Sequence, residues 1–292
     1  HFFGEYAVMK IANAETTPFT PPPPSRGGRI DFKTLLEGRP GALNNYQLLL
    51  ADTDISFKSP RHRHNFEQLR YSVKGATHTG DDCVIQEGEL AYFPEGCYYG
   101  PQDQSRCGHN SLTMVIQFGG PSMSGYISRA EMEQAFADLK QTGDFEQGVY
   151  RRHAPEAGQR RNQDSYEAIW EHHSRRKLAY PKPRFAAPLR FAETHFQWKA
   201  DEHLPGVSHK HIATLTEARL QVGFLRLEAS ASFSLESRTS TRLVFFKSGS
   251  GSFGSSGHWM EYTAVHLDPG ETLDMTAETT SEALVVDLPQ LS

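Results

Sequence analysis

Residues 60–75 place two histidines ahead of an alternating segment, and they read Pro60-Arg61-His62-Arg63-His64-Asn65-Phe66-Glu67-Gln68-Leu69-Arg70-Tyr71-Ser72-Val73-Lys74-Gly75. Leu69, Tyr71 and Val73 alternate with polar residues, a pattern typical of a β-strand with one face in a core. Two histidines at positions i and i+2 of an extended segment point to the same side. Their imidazoles can therefore share one metal ion.

A second segment follows about a dozen residues later and reads Gly88-Glu89-Leu90-Ala91-Tyr92-Phe93-Pro94-Glu95-Gly96-Cys97-Tyr98-Tyr99. Together the two segments resemble the signature motifs of the cupin superfamily. The first family motif is His-x-His, three or four residues, Glu, and a strand ending in Gly. The second is Gly, five residues, Pro-x-Gly, two residues and His. The matching positions are His62, His64, Gly75, Gly88, Pro94 and Gly96.

Two of the four metal-ligand positions depart from the family pattern. Gln68 stands at the Glu position of the first motif, and Tyr99 stands at the final His of the second. The resemblance implies a divalent ion (Fe, Mn, Ni or Zn) held by His62, His64, Gln68 and Tyr99. An amide oxygen and a phenol are weaker ligands, because a phenol binds strongly only when deprotonated. Glu67 replaces Gln68 as a ligand if the strand bulges there. Alternatively, the histidines are hydrogen-bonded groups in a polar barrel mouth without an ion.

Further roles are predicted for four side chains near this cluster. Glu67 and Tyr99 are the candidate catalytic residues, as proton donors. Arg70 and Tyr92 are the candidate substrate-binding residues, although packing is the commoner role for an aromatic cluster such as the one around Tyr92. Arg70 should face inward, where a charge needs an anionic partner. Either a carboxylate of the protein or one of a substrate fills that role.

The rest of the chain alternates between β-rich and helical patterns. Ser128 and Glu131 form a capping box ahead of a helical pattern, and a second helix is predicted from Asp164 through Lys177. The predicted fold is mostly β, with two tandem cupin barrels (double-stranded β-helix or jelly-roll) joined by a helical connector. The predicted boundaries are an N-terminal arm over 1–42 with the proline run Pro21–Pro24, a first barrel over 43–125, the connector over 126–196, and a second barrel over 197–292.

The second barrel shows no histidine pair at the first-motif positions. Aligned through Gly249, those positions hold Glu236, Arg238 and Arg242, so the resemblance implies a barrel without metal, kept for packing or dimerisation. Other histidines are interpreted as surface polar groups, and His109 as a reserve ligand. The surface group comprises His172, His173, His203, His209 and His211.

Composition excludes some classes of protein. The 292 residues carry a formal net charge of −5 and only three cysteines. This balance disfavours a nucleic-acid binder, and the cysteine spacing disfavours a disulfide framework. With no apolar run long enough to span a bilayer and no visible secretory signal, a cytoplasmic protein is expected. Exposed sheet edges favour a homodimer.

Two functional hypotheses follow. One is a metal-dependent enzyme with oxygenase-, decarboxylase- or isomerase-like chemistry on a small organic molecule, as the resemblance implies. The other is a non-catalytic small-molecule-binding protein, which the weakened ligand set favours. A structural or interaction protein is a third, weaker interpretation.

Overall fold

The structure is a computed structural model that describes residues 9–22 and 26–291. Pro23 and Pro24 of the predicted arm therefore lie outside the described residues. The chain divides into two units. We call residues 19–192 the first-barrel unit, and residues 9–18 with 193–291 the second-barrel unit.

Strands dominate both units. In chain order they are β1 (Lys10–Asn13), β2 (Ile30–Glu37), β3 (Tyr46–Thr53), β4 (Lys58–Ser59), β5 (Glu67–Lys74), β6 (Thr77–His78), β7 (Val84–Ile85), β8 (Glu89–Phe93), β9 (Gln102–Asp103), β10 (Ser111–Phe118), β11 (Gly143–Glu146), β12 (Val149–Arg152), β13 (Asn162–Asp164), β14 (Leu189–Ala192), β15 (Lys199–Ala200), β16 (Val207–Leu215), β17 (Leu220–Leu227), β18 (Ser232–Leu235), β19 (Arg242–Ser248), β20 (Gly251–Ser252), β21 (His258–Trp259), β22 (Thr263–Leu267), β23 (Leu273–Ala277) and β24 (Ser281–Asp287). The α-helices are α1 (Arg129–Lys140) and α2 (Ser165–Ser174). The mostly β prediction is confirmed.

The first-barrel unit is built on a six-stranded antiparallel sheet with the order β14-β8-β5-β10-β3-β2. The unit also contains two short ribbons, β4-β9 and β6-β7, and the three-stranded sheet β11-β12-β13. In the central pair of strands, Gln117 lies opposite Gln68 and Val115 lies opposite Arg70. Because side chains alternate along a strand, these four residues share one face of the sheet. That face is the one that meets the candidate site.

Helix α1 begins where the sequence predicts. The Ser128 hydroxyl accepts from the backbone N–H of Glu131 at 3.3 Å, and the Glu131 carboxylate accepts from the backbone N–H of Ser128 at 2.6 Å. This capping box satisfies two N–H groups that have no partner within the helix.

Helix α2 also forms, but it is shorter than predicted. Asp164 caps it by accepting from the backbone N–H groups of Tyr166 and Glu167. The helix ends at Ser174 and not at Lys177, because Arg175 adopts a left-handed conformation (φ 56°) that closes the last turn. No helix in the described part of the chain is long and apolar enough to cross a membrane.

Both the predicted arm and the predicted connector contribute strands to the sheets. Strand β1 pairs with β22 in the second-barrel unit, and β2 pairs with β3 in the first-barrel unit. The connector contains a three-stranded sheet, β11-β12-β13, and its last strand, β14, pairs with β8. Strands β1, β2 and β14 lie at sheet edges, and β1 and β14 are held by long-range pairing that the local sequence pattern does not reveal.

The second-barrel unit contains a seven-stranded sheet (β1-β22-β19-β24-β17-β16-β15) and a four-stranded sheet (β18-β23-β20-β21). Large apolar side chains from both sheets pack together in its core. Phe246 stacks on Trp259 with ring centroids 4.6 Å apart, and Phe253 lies 5.1 Å from Trp259. The interior of this barrel is thus filled by its own side chains.

Candidate functional site

The candidate site is a cavity of about 240 Å³ inside the first-barrel unit. One wall is apolar and comes from strands β2, β3 and β10, through Ile30, Phe32, Leu49, Ala51 and Val115. The short ribbons supply polar groups, namely Ser59, Thr77 and Gln102. Helices α1 and α2 add Met132, Tyr166 and Ile169. The cavity therefore lies between the barrel and the connector helices.

His62 and His64 both line this cavity, as the sequence predicts. Their ring centroids lie 4.9 Å apart. The local backbone differs from the expected continuous strand, since β5 begins only at Glu67. His62 instead forms an isolated bridge with Tyr99, with backbone hydrogen bonds of 3.1 and 3.0 Å. This bridge brings the two motifs together.

Both histidines are held in the neutral form. Burial lowers their pKa values well below 6.5, and the positive charge of Arg26 lowers them further. His62 Nδ1 lies 2.7 Å from the carbonyl oxygen of Pro60, so Nδ1 carries the hydrogen and donates it. A neutral imidazole has one ring hydrogen, so Nε2 of His62 keeps its lone pair.

The other two predicted ligands, Gln68 and Tyr99, are both engaged by Arg70. The guanidinium donates to Gln68 Oε1 through Nε at 2.9 Å and through Nη2 at 2.6 Å. Nη2 also donates to the Tyr99 hydroxyl oxygen at 2.9 Å. That hydroxyl lies 3.0 Å from His64 Nε2. Gln68 and Tyr99 are thus joined by the guanidinium, His64 by the Tyr99 hydroxyl, and the His62 ring lies 4.4 Å from the Tyr99 ring, centroid to centroid.

These residues do not fit a divalent metal ion. The two oxygens that would complete the ligand set already accept hydrogen bonds from Arg70, whose positive charge would repel a dication at this distance. The remaining nitrogens, on His62 and His64, are only two ligands. Among the described residues, no group of three His, Cys, Asp or Glu side chains is placed to hold a metal.

Arg70 lines the cavity, in agreement with its predicted inward direction. Of its two predicted partners, the protein carboxylate is absent among the described residues. Its guanidinium packs over the rings of Phe93 and Tyr99, at 4.5 and 4.9 Å from their centroids. The neutral acceptors Gln68 and Tyr99 satisfy its hydrogen bonds without cancelling its charge. A positive charge therefore remains beside the histidines.

Glu67 and Tyr92 lie away from this cluster. The Tyr92 hydroxyl donates to Glu67 Oε1 at 2.6 Å, and both side chains are buried. Burial, reinforced by the Glu67 charge, raises the pKa of Tyr92 far above its usual range. Neither residue lines the cavity. Adjacent residues of a strand face opposite sides, and Gln68, which lies opposite Gln117, is on the face of the sheet that meets the cavity. We therefore do not retain the catalytic role of Glu67 or the substrate-binding role of Tyr92.

Two further arginines line the cavity and were missed by sequence reasoning, Arg26 and Arg129. Arg26 follows the proline run, and Arg129 is the first residue of α1. Arg26 precedes β2, and Arg129 begins α1. The position of each element against the barrel depends on contacts with residues far away in the sequence. No local pattern could have assigned them to the site.

The remaining histidine and arginine candidates lie outside the cavity lining. His109 is exposed and its Nδ1 contacts the Asn110 carbonyl. Arg61 and Arg63 face away from the histidine pair as predicted, and each packs over the Tyr98 ring.

In the second-barrel unit, two of the three first-motif positions, Arg238 and Arg242, hold ion-paired arginines. Arg242 is buried and donates to both carboxylate oxygens of Asp287, at 2.5 and 3.0 Å. Arg238 lies 3.6 Å from the same carboxylate. A buried arginine in this unit thus has the carboxylate partner that Arg70 lacks.

Comparison with known proteins shows structural but not sequence similarity. No protein-family model matches the sequence, and no curated protein matches it significantly. A suspected dioxygenase from Nostoc punctiforme superposes with a TM-score of 0.62 at 12% identity, over 97% of this chain and 85% of its own. The bacterial pirin YhhW from Escherichia coli, solved with nickel(II), gives 0.56 at 9% identity, over 97% and 100%. HEPD from Streptomyces albus, solved with 2-hydroxyethylphosphonate and Fe(II), gives 0.57 at 11%, over 96% and 76%. Identities this low establish a shared fold and nothing finer.

Proposed function

We propose that this chain, which has the bicupin fold of the cupin superfamily, binds a small organic molecule in its first barrel without a metal ion. One observation carries the proposal: the Arg70 guanidinium donates to Gln68 and Tyr99, the two residues at the altered ligand positions. The Arg70 guanidinium thus holds, with a fixed positive charge, the two residues that would otherwise complete the ligand set of a metal ion. The conclusion favours a binding protein over a metalloenzyme.

The shape and lining of the cavity support the proposal. Ligand sites are typically concave and mostly apolar, with a few polar groups that fix orientation. Here the apolar wall of β2, β3 and β10 faces a small polar end formed by His62, His64 and Arg70. In the core of the second barrel, by contrast, the rings of Phe246, Phe253 and Trp259 pack together.

A metal-dependent enzyme is the second candidate, and the neutral histidine pair favours it. Imidazole binds metal only when deprotonated, and both rings are in that form. The nickel(II) and Fe(II) in the solved structures of similar fold add support for oxygenase-, decarboxylase- or isomerase-like chemistry. This candidate requires Arg70 to leave Gln68 and Tyr99.

The two candidates differ in their dependence on metal. Protein expressed in medium supplemented with Fe, Mn, Ni and Zn is analysed for bound elements, and then treated with EDTA. Thermal shifts are measured for a panel of small acids, amides, alcohols and sugars, before and after the treatment. We expect substoichiometric metal and a ligand that stabilises the EDTA-treated protein, by about 2.7 kcal/mol at a hundredfold excess over Kd. Stoichiometric metal, with ligand binding that disappears after EDTA, would overturn the proposal in favour of the metalloenzyme.

A further inference from the structure

We infer that the ligand of the first barrel is an organic carboxylate, with its charged group between Arg26 and Arg70 beside His64 and its apolar body along the wall of β2, β3 and β10. This inference rests on the proposed function and adds the chemical class of the ligand. It is carried by the charge of the cavity, its unfilled hydrogen-bond donors and its apolar wall.

The cavity lining is positively charged. Arg26, Arg70 and Arg129 line it, and no Asp or Glu among the described residues does so. Arg26 lies 3.6 Å from Asp164, and Arg129 donates to Glu133 at 2.7 Å, so two of the three charges are partly balanced from outside the cavity. The Arg70 charge is not balanced by any carboxylate within the described residues. Because a cation in a desolvated place needs an anionic partner, the cavity favours a negative ligand.

Three nitrogen atoms of residues that line this cavity are buried without a hydrogen bond in the described structure: Nη1 of Arg129, Nδ1 of His64 and Nη1 of Arg26. Nη1 of Arg26 is the atom that lies 3.6 Å from the Asp164 carboxylate. The arginine atoms can only be donors, because a guanidinium has no acceptor and stays protonated in proteins. Buried polar groups without partners are uncommon and each calls for an explanation. Ligand oxygens that accept from these atoms provide one.

His64 Nδ1 is also a donor when the Tyr99 hydroxyl both accepts a hydrogen bond from Arg70 and donates one to His64 Nε2. The Tyr99 oxygen accepts from Arg70, and its single hydrogen points to His64 Nε2 at 3.0 Å. If His64 Nε2 instead donated to the Tyr99 oxygen, the hydroxyl hydrogen of Tyr99 would have no acceptor. His64 Nε2 is therefore the acceptor, and the one ring hydrogen of the neutral imidazole lies on Nδ1. Nη1 of Arg129 and Nδ1 of His64 thus call for an acceptor, Nη1 of Arg26 has only the more distant Asp164 carboxylate, and none of the three atoms calls for a donor.

The apolar wall distinguishes an organic anion from an inorganic one. Ile30, Phe32, Leu49, Ala51 and Val115 offer no hydrogen bonds, so an inorganic phosphate or sulfate would leave this wall facing water. An apolar body buried there gains about 25 cal/mol for each Å² removed from water. A carboxylate with a compact ring or a short alkyl chain fits both ends of the cavity.

The test uses two matched pairs of probes on the EDTA-treated full chain, by isothermal titration calorimetry. Benzoate is compared with benzamide and hexanoate with hexanamide, and inorganic phosphate is a fifth probe. We expect each carboxylate to bind at least tenfold more tightly than its amide, since a charge-assisted hydrogen bond is worth about 1.5–3 kcal/mol and 1.4 kcal/mol is tenfold. Amides that bind as tightly as the acids, or phosphate that binds as well as either acid, would overturn the inference.

Variants locate the charged group. Arg26→Gln and Arg70→Gln should each weaken binding of the carboxylates about tenfold or more and leave the amides within about twofold. Arg63→Gln is the matched control, because Arg63 packs over Tyr98 outside the cavity lining. Arg26→Gln removes no hydrogen bond to Gln68 or Tyr99, so it keeps the test valid even if Arg70→Gln fails to fold. Carboxylate affinities unchanged in Arg26→Gln count against the inference.

Titration of the same probes into metal-loaded protein as well distinguishes failure of the carboxylate inference from failure of the proposed function. Tight binding of the neutral amides to metal-free protein would leave the proposed function intact and reject the carboxylate. Binding of every probe only to metal-loaded protein would reject the proposed function itself.

Discussion

Arg70 explains both departures from the motif at once. A guanidinium is always charged and presents several N–H donors in a fixed plane. Gln68 and Tyr99 offer neutral oxygens at 2.6–2.9 Å from it, which satisfy its hydrogen bonds without removing its charge. Residues that are poor ligands for a metal are thus good partners for an arginine. The altered positions are better understood as one coupled arrangement than as two separate losses.

The Tyr99 hydroxyl is the link in this arrangement, and its removal should be costly. In Tyr99→Phe, Arg70 and His64 each lose a hydrogen-bond partner in a buried setting. We expect the free energy of unfolding to fall by about 1–3 kcal/mol, measured by urea denaturation. Tyr98→Phe is the control, because Tyr98 is 42% exposed and keeps its ring for Arg61 and Arg63. That variant should stay within about 0.5 kcal/mol of wild type. Equal effects from both variants would contradict the described network.

The neutral histidines make stability depend on pH in a defined direction. Their folded-state pKa values lie well below 6.5, so below pH 6.5 the unfolded chain binds protons that the folded protein does not. Stability is therefore fully present above pH 6.5 and falls as the pH is lowered, by up to about 1.4 kcal/mol per pH unit for each histidine.

Urea denaturation at pH 7.5, 6.5 and 5.5 checks this dependence. His62→Gln should reduce the change in the free energy of unfolding with pH below 6.5 by up to about 1.4 kcal/mol per pH unit, because the variant side chain does not titrate. His109→Gln is the control, since His109 is exposed, and it should keep the wild-type slope. An identical slope in His62→Gln and wild type would show that His62 is not held neutral.

At the scale of elements, the connector helices cover the cavity. Helix α1 contributes Arg129 and Met132 to the lining, and α2 contributes Tyr166 and Ile169. Residues from both helices pack with Phe66 in one buried cluster. The connector is therefore part of the candidate site and not only a link between barrels. The position of the connector over the cavity depends on where each of its two helices begins.

The cap of α1 gives a direct test of that dependence. Ser128→Ala removes the hydroxyl that accepts from the Glu131 N–H, and should lower the free energy of unfolding by about 1 kcal/mol. Because α1 carries Arg129, benzoate affinity should fall as well. Ser255→Ala, at an exposed position of the second-barrel unit, serves as the control and should change neither quantity. Wild-type stability in Ser128→Ala would mean that the capping box does not set the start of the helix.

At the scale of the whole molecule, the two barrels have different interiors. The first holds a cavity lined by charged and apolar groups, and the second is filled around Trp259, which is 1% exposed. A filled core gives stability, while a cavity leaves room for a ligand. The expected homodimer and cytoplasmic location stay predictions, and size-exclusion chromatography with light scattering checks the first.

The filled barrel should tolerate truncation of its core poorly. Trp259→Ala removes a stacked, buried indole, and we expect it to cost about 3–5 kcal/mol in urea denaturation. Trp198→Ala is the control, since Trp198 is only half-buried and contacts Lys210 and Arg226. Its cost should be clearly smaller. A Trp198→Ala variant less stable than Trp259→Ala would contradict this view of the core.

The sequence alone determined the strands around the two motifs, the start of α1 and the inward direction of Arg70, because period-two alternation, turn residues and capping are local properties of the chain. It also brought His62, His64, Gln68 and Tyr99 together, because the motif spacing fixes them. Only the tertiary structure decided what occupies their centre. The contact of Arg70 with Tyr99, the added charges of Arg26 and Arg129, and the pairing of Tyr92 with Glu67 depend on contacts between segments far apart in sequence. Such contacts are selected by packing, which no local pattern records.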